Sequence, residues 1–189
     1  MEIPLGVVLI HGVPGCGKSK LARRITFDWV RRYRIPAGIF DPARVWTYAD
    51  VAHVSPAALP GDVWKLRKIA ATDSQDPDYL AAFAKKGQSV GAGILNIDEL
   101  RYYCTAHSAP DDLVYLARTW RHRRVGLVFV TQRINDLPSD VRSCVTLVLT
   151  GRCTTPRILS YLEDEYGLDP ARVRALPPDH FIPSREGFE

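Results

Sequence analysis

The chain predicts an α/β fold, a mostly parallel sheet flanked by helices, on three observations. An apolar run at residues 7–10 (VVLI) feeds the segment GVPGCGKS at 12–19, which opens a stretch of helical period. Strand-like and helix-like segments alternate along the rest of the chain. No internal repeat or low-complexity tract breaks the alternation. Strands buried on both faces read as continuous apolar runs, as 7–10, 94–97 and 125–130 do.

Residues 12–19 satisfy G-x-x-x-x-G-K-[ST] without mismatch, the Walker A phosphate-binding loop. Gly12, Gly15 and Gly17 permit a tight turn that aims backbone N–H groups at phosphate oxygens, with Val13, Pro14 and Cys16 completing the loop. The helix that follows adds partial positive charge at its N-terminus, and Leu21, Ile25 and Trp29 give it one apolar face. Lys18 is positioned to reach the β and γ phosphates, and the Ser19 hydroxyl to hold Mg²⁺.

Further along, residues 44–48 form a second short strand candidate, and 51–61, rich in Ala and Pro, reads as a surface excursion. A short helix is expected over 64–71. A firmer one spans 77–86, with Pro77 in its first turn and Gly87 as its stop. The run 94–97 is a buried strand. Asp111 and Asp112 then open a helix whose Leu113, Leu116, Ala117 and Trp120 share one face. Residues 125–130 and 146–149 are two more β-rich runs. The last clear helix has Thr155 as its cap, Pro156 at its first position, an apolar stripe of Ile158, Leu159 and Leu162, and Gly167 as terminator. Residues 173–182, interrupted by Pro177 and Pro178, read as an extended tail or edge strand.

A length of 189 residues suits one domain with a full core, and the first strand starts so early that no upstream domain is expected. No apolar run approaches the roughly 20 residues that span a bilayer, so the chain reads as soluble and intracellular. Cys16, Cys104, Cys144 and Cys153 form no C-x-x-C pair and fit a reducing compartment. The net charge of +4 is too small to imply nucleic acid by itself. Arg outnumbers Lys 19 to 6, a bias that either a hot environment or GC-rich coding produces.

Two more segments carry chemistry. In ILNIDE, residues 94–99, an apolar strand ends in adjacent carboxylates: Asp98 is placed to meet a metal ion and Glu99 to act as general base on water. In VGLVFVTQR, residues 125–133, the strand ends in Gln132, whose amide can touch both a γ phosphate and the attacking water. A polar residue ending a strand at its turn is the alternative for Gln132.

The order of phosphate loop, NIDE, then TQR followed at once by INDLP resembles the FtsK/HerA superfamily of ring-shaped DNA-pumping ATPases, above all its compact viral genome-packaging members. The resemblance covers most of residues 5–152. It implies a RecA-like P-loop NTPase domain of the ASCE type over residues 1–189, with an extended tail at about 170–189, ATP and Mg²⁺ as cofactors, and Ser19 and Asp98 on the metal. It makes Asp98 and Glu99 the Walker B carboxylates and Gln132 the sensor. An arginine from a neighbouring subunit would stabilise the transferring phosphate, with Arg152 and Arg157 preferred over Arg133.

The implied function is that of an ATP-hydrolysing DNA translocase pumping viral DNA into a preformed capsid. Its implied partners are duplex DNA bound without sequence preference, copies of itself in a ring, a hexamer in this family, and a capsid or portal-vertex protein. The implied location is the host cytoplasm or the virion. Neither the barrel of cellular HerA-like motors nor the membrane and DNA-guiding domains of FtsK-like ones is expected from these 189 residues.

Arg121, His122, Arg123 and Arg124 are either DNA contacts or a solvated helix end. Arg101, Tyr102, Tyr103 and His107 lie in a loop that can line a pore, serve an interface or join the core. Two rival functions stay open. One is a P-loop kinase for a nucleotide or small molecule, against which Glu99 and Gln132 suit water activation better than an acceptor pocket. The other is a nucleotide-dependent phage assembly or export factor, which would want a transmembrane segment.

Overall fold

Alternation of side chains across a pleat explains how one sheet can bury both of its faces. In the computed structural model, which describes residues 3–47, 51–134 and 137–184, Val7 and Leu9 of β1 (Val7–His11) enter one apolar core. Val8 and Ile10 enter a second core on the other side. The same split recurs in β6 (Val125–Thr131), with Leu127 and Phe129 on the first face and Val128 and Val130 on the second. Helix α1 (Lys18–Tyr33) covers the second face with Ala22, Ile25 and Trp29. The first is covered by α2 (Pro77–Val90), α3 (Asp111–Arg123) and α5 (Pro156–Tyr166) through Leu80, Phe83, Leu113, Leu116, Leu159 and Leu162.

Among the described residues the strands form a single eight-stranded sheet in the order β3-β4-β2-β5-β6-β1-β7-β8. Its remaining members are β2 (Ala37–Phe40), β3 (Ala52–His53), β4 (Ile69–Thr72), β5 (Gly93–Ile97), β7 (Leu147–Thr150) and β8 (Ile182–Pro183). All neighbours are parallel except β8, which runs antiparallel to β7. The fold class expected from the sequence is thus the one observed. Inside, Asn96 of β5 donates to Thr26 Oγ1 at 2.9 Å, and the Thr26 hydroxyl donates in turn to the Ala22 carbonyl, so this buried polar pair is hydrogen-bonded.

Several expectations need correction. The second strand is Ala37–Phe40, not 44–48: the Asp41 carboxylate accepts from the backbone N–H groups of Val45 (3.1 Å) and Trp46 (2.8 Å) and curls that segment into a turn, while Tyr48 lies outside the described residues. Residues 64–71 are not a helix. A wide π-type turn, Gly61–Lys65, is followed by strand β4, which pairs with β2. The excursion at 51–61 carries the edge strand β3 and buries Val51 and Leu59. Helix α2 runs through Gly87, which is buried beneath Trp64, and stops at Gly91. The tail is helical over α6 (Pro170–Arg174), where the Asp169 side chain accepts from Ala171 N, before it extends into β8. A short helix α4 (Ser139–Arg142) precedes β7, whose bounds fall one residue later than expected.

Candidate functional site

In an open parallel sheet the loops beyond the carboxyl ends of the strands form the binding edge. Here that edge gathers residues 12–19 after β1, Asp98 and Glu99 after β5, Gln132 after β6 and Arg152 after β7. The phosphate loop is held by its own backbone and by its neighbours. Val13 N donates to the Arg152 carbonyl at 2.8 Å, Cys16 N to the Val13 carbonyl at 3.3 Å, and Asp179 N to the Cys16 carbonyl at 3.0 Å. Gly17, at φ 94°, starts α1 without a side-chain cap, so the helix's first N–H groups face the loop. A Cβ at Gly17 would lie 2.1 Å from Asp179 Oδ1, and only glycine fits. Lys18 is buried and donates through Nζ to the Val13 carbonyl at 2.9 Å.

Asp98 is 2% exposed. Burial, reinforced by the charges of Asp41 and Glu99, raises its pKa to about 6 against the opposing pull of the Ser19 hydroxyl. Its Oδ1 accepts from Glu99 N at 3.0 Å, while Oδ2 is buried without a hydrogen-bond partner. A buried carboxylate oxygen without a donor, beside a serine hydroxyl, fits a divalent cation. Among the described residues no cage of three or more His, Cys, Asp or Glu exists.

Glu99 sits at φ 52°, ψ 60°, a left-handed conformation that turns the chain straight after the strand. Its carboxylate accepts from Gln132 Nε2 at 3.1 Å and lies 3.4 Å from Arg101 Nε. The two polar residues chosen from sequence on separate strands are therefore in contact. Arg152 and Arg157 are exposed, the first joined by its backbone to its own phosphate loop and the second in the first turn of α5. Arg133 is exposed as well. Of the loop at 101–110, Tyr103 is core, edge-on to Phe40 at 5.6 Å. Tyr102 is exposed beneath the Arg101 guanidinium.

Three neighbours of the loop carry no local sequence signal. His11, fully buried at the end of β1, bonds through Nε2 to Thr150 Oγ1 at 3.0 Å and leaves Nδ1 without a partner. Burial, then the Lys18 charge, lowers its pKa to about 4 and keeps it neutral. Asp41 faces Asp98 from the adjacent strand end. Asp179 comes from the tail beyond α6, and pairs with Lys20 at 2.7 Å while its backbone N–H donates to the Cys16 carbonyl. Only the path of the tail along β7 brings it there. Cys16 is buried within the loop, which raises its thiol pKa and leaves it protonated. No cysteine among the described residues forms a disulfide.

No protein-family model and no curated protein matches the chain. Solved structures do. The genome-packaging NTPase B204 from Sulfolobus turreted icosahedral virus 2, in complex with ATP-gammaS, is 20% identical, with a TM-score of 0.76 over 96% of this chain and 92% of that one. B204, the DNA-packaging ATPase from Sulfolobus turreted icosahedral virus, gives 19% identity and a TM-score of 0.69 over 94% and 91%. The cytoplasmic domain of the type VII secretion ATPase EccC from Thermomonospora curvata gives 17% and 0.54, over 77% of this chain and 19% of that one. Among the described residues no helix is long and apolar enough to cross a membrane. The resemblance drawn from the motifs is met at the level of the fold: across nearly its whole length this chain has the P-loop NTPase fold that those viral packaging ATPases share.

Proposed function

We propose that the protein is an ATP-hydrolysing DNA translocase that drives viral DNA into a preformed capsid. The observation that carries the reading is the contact between Glu99 and Gln132 beside a complete phosphate loop. A carboxylate held by a neutral amide, next to a buried Asp, is machinery for activating water rather than for seating an acceptor hydroxyl. The fold shared with the genome-packaging NTPase B204 of Sulfolobus turreted icosahedral viruses supports packaging as the task.

In this reading residues 12–19 grip the phosphates, with Lys18 leaving the Val13 carbonyl for the nucleotide. Ser19 and Asp98 would hold Mg²⁺, which would supply charge neutralisation on the phosphates. Glu99 takes the proton of the attacking water, and Gln132 holds both the carboxylate and that water in line. Arg152 reaches the phosphates from its own chain or, like Arg157, serves a neighbouring copy in a ring, a hexamer by family resemblance. DNA is bound without sequence preference, a capsid or portal-vertex protein is the docking partner, and the host cytoplasm is the place of action.

The test is ATP turnover with and without long duplex DNA, and with nucleotide and small-molecule phosphate acceptors. DNA stimulation without phosphate transfer is expected. Transfer to an acceptor would make the protein a kinase, and turnover indifferent to DNA would make it an assembly factor.

A further inference from the structure

The edge of the sheet opposite the nucleotide carries its own chemistry. Arg34 ends α1 at φ 53°, ψ 42°, and Arg124 ends α3 at φ 54°, ψ 40°. Arg67, just ahead of β4, has φ 53°. These are left-handed positions that glycine or asparagine fills with less strain. Each arginine lies within three residues of the start of the next strand, and the strands concerned, β4, β2 and β6, fall within four consecutive places of the sheet. The connectors are tied side by side: Ala37 N donates to the Lys68 carbonyl, Ile94 N to Pro36, and Ala92 N to Arg123. Neighbouring strands are about 4.8 Å apart, so the three arginines span roughly 14 Å of a rigid rim.

Helix dipoles account for part of this charge but not for its placement. The last turns of α1 and α3 already hold Arg31, Arg32, Arg121, His122 and Arg123. Arg67 follows no α-helix at all. Arg34, Arg67 and Arg124 are all exposed, and no Asp or Glu occurs in residues 29–40, 63–72 or 113–134. Between the two helix ends lies a groove of about 220 Å³ lined by Tyr33, Trp120, Arg121 and Arg124, with the Arg121 guanidinium 5.2 Å from the Trp120 ring.

We propose that this amino-terminal edge of the sheet is a docking face for the phosphate backbone of duplex DNA, with Arg34, Arg67 and Arg124 as its fixed contacts. Guanidinium forks match phosphate oxygens in pairs, and arginines whose main chain is locked lose no backbone freedom on binding. The face lies across the sheet from the phosphate loop, so DNA and ATP do not compete for it. The basic rim stands on its own geometry; the choice of duplex DNA as occupant rests on the translocase reading above.

The test measures binding of a labelled mixed-sequence duplex over a series of salt concentrations, for wild type and the triple variant Arg34→Gly, Arg67→Gly, Arg124→Gly. Glycine relieves the left-handed strain while loosening the unfolded chain, so the two effects offset and the unfolding midpoint stays near wild type. The slope of log affinity against log salt is expected to fall by about 3, and affinity at low salt by roughly 100-fold or more, with ATP affinity unchanged. Should the triple glycine variant fold poorly, the triple asparagine variant, which also tolerates this backbone, takes its place. A folded variant with unchanged DNA affinity and slope overturns the proposal, as does wild-type binding to anionic vesicles but not to DNA. DNA-stimulated turnover that persists at wild-type level in the variant would overturn the face and leave the translocase reading standing. Wild type that neither binds DNA nor responds to it would sink both.

Discussion

The side-chain amide of Gln132 donates to Glu99 Oε1 at 3.1 Å and approaches Oε2 at 3.4 Å, bridging the ends of two adjacent strands, β6 and β5. The carboxylate is thereby aimed from one strand and held from the next. Glu99→Gln should keep ATP and Mg²⁺ affinity, since Asp98 is untouched, yet lose on the order of 100-fold or more in turnover. Gln132→Ala should lower turnover about tenfold at unchanged ATP affinity, because the base survives but swings free. Single-turnover hydrolysis beside equilibrium nucleotide binding reads both, and near-wild-type turnover in Glu99→Gln would remove Glu99 from the mechanism.

Lys18→Ala should act on binding instead. The buried ammonium now satisfied by the Val13 carbonyl is the group poised for the phosphates, and its loss should weaken ATP binding roughly 10- to 100-fold. Isothermal titration checks this. An unchanged dissociation constant would contradict the phosphate-loop assignment.

Mixing variants separates an arginine that works within its own chain from one that works across an interface. Arg152 is anchored to its own loop through Val13, whereas Arg157 projects from α5. Combining Lys18→Ala with Arg157→Ala subunits should restore part of the turnover that neither has alone, a contact worth about 10³ or more in rate. Lys18→Ala with Arg152→Ala should recover nothing if Arg152 serves its own site. No recovery in either mixture, with wild type active as a monomer in sedimentation, would exclude a shared active site.

His11 gives a pH dependence of stability with a definite sign. Its folded pKa, about 4, lies below the ordinary 6.5, so the unfolded chain takes up a proton that the folded one refuses. Its contribution is fully present above pH 6.5 and lost as pH falls toward 4, about 3 kcal/mol in all. His11→Gln should flatten the fall in urea-unfolding free energy between pH 7 and pH 4.5 relative to wild type. Parallel curves for the two proteins would show that His11 titrates normally.

Asp179 places a carboxylate against Gly17 at the mouth of the phosphate loop, where it opposes an incoming anion. Asp179→Asn, which tolerates the residue's left-handed backbone at φ 63°, should tighten ATP binding a few-fold at low salt and less at high salt. Weaker binding in this variant would mean that the Lys20 pair matters more than the repulsion.

What the sequence by itself determined are the features whose causes are local. The loop at 12–19 is spelled out by its glycines, lysine and serine. Strands β1, β5 and β6 announce themselves as apolar runs, and α5 by Pro156 at its start and Gly167, at φ 65°, at its end. Glu99 and Gln132 could each be chosen because a polar residue ending a buried strand reaches the binding edge.

Tertiary packing decided the rest. AGIF and IAAT, residues 37–40 and 69–72, are strands because β5 and then β2 offer them a ladder to join, with Gly38 making room for Phe83. Gly87 stays inside α2 because Trp64 packs where a side chain would stand. The hydrogen bond between Gln132 and Glu99, the return of Asp179 to the phosphate loop and the row of left-handed arginines each join segments distant in the chain. Their geometry follows from strand order, which is set by burial of both faces of the sheet and not by any short stretch of residues.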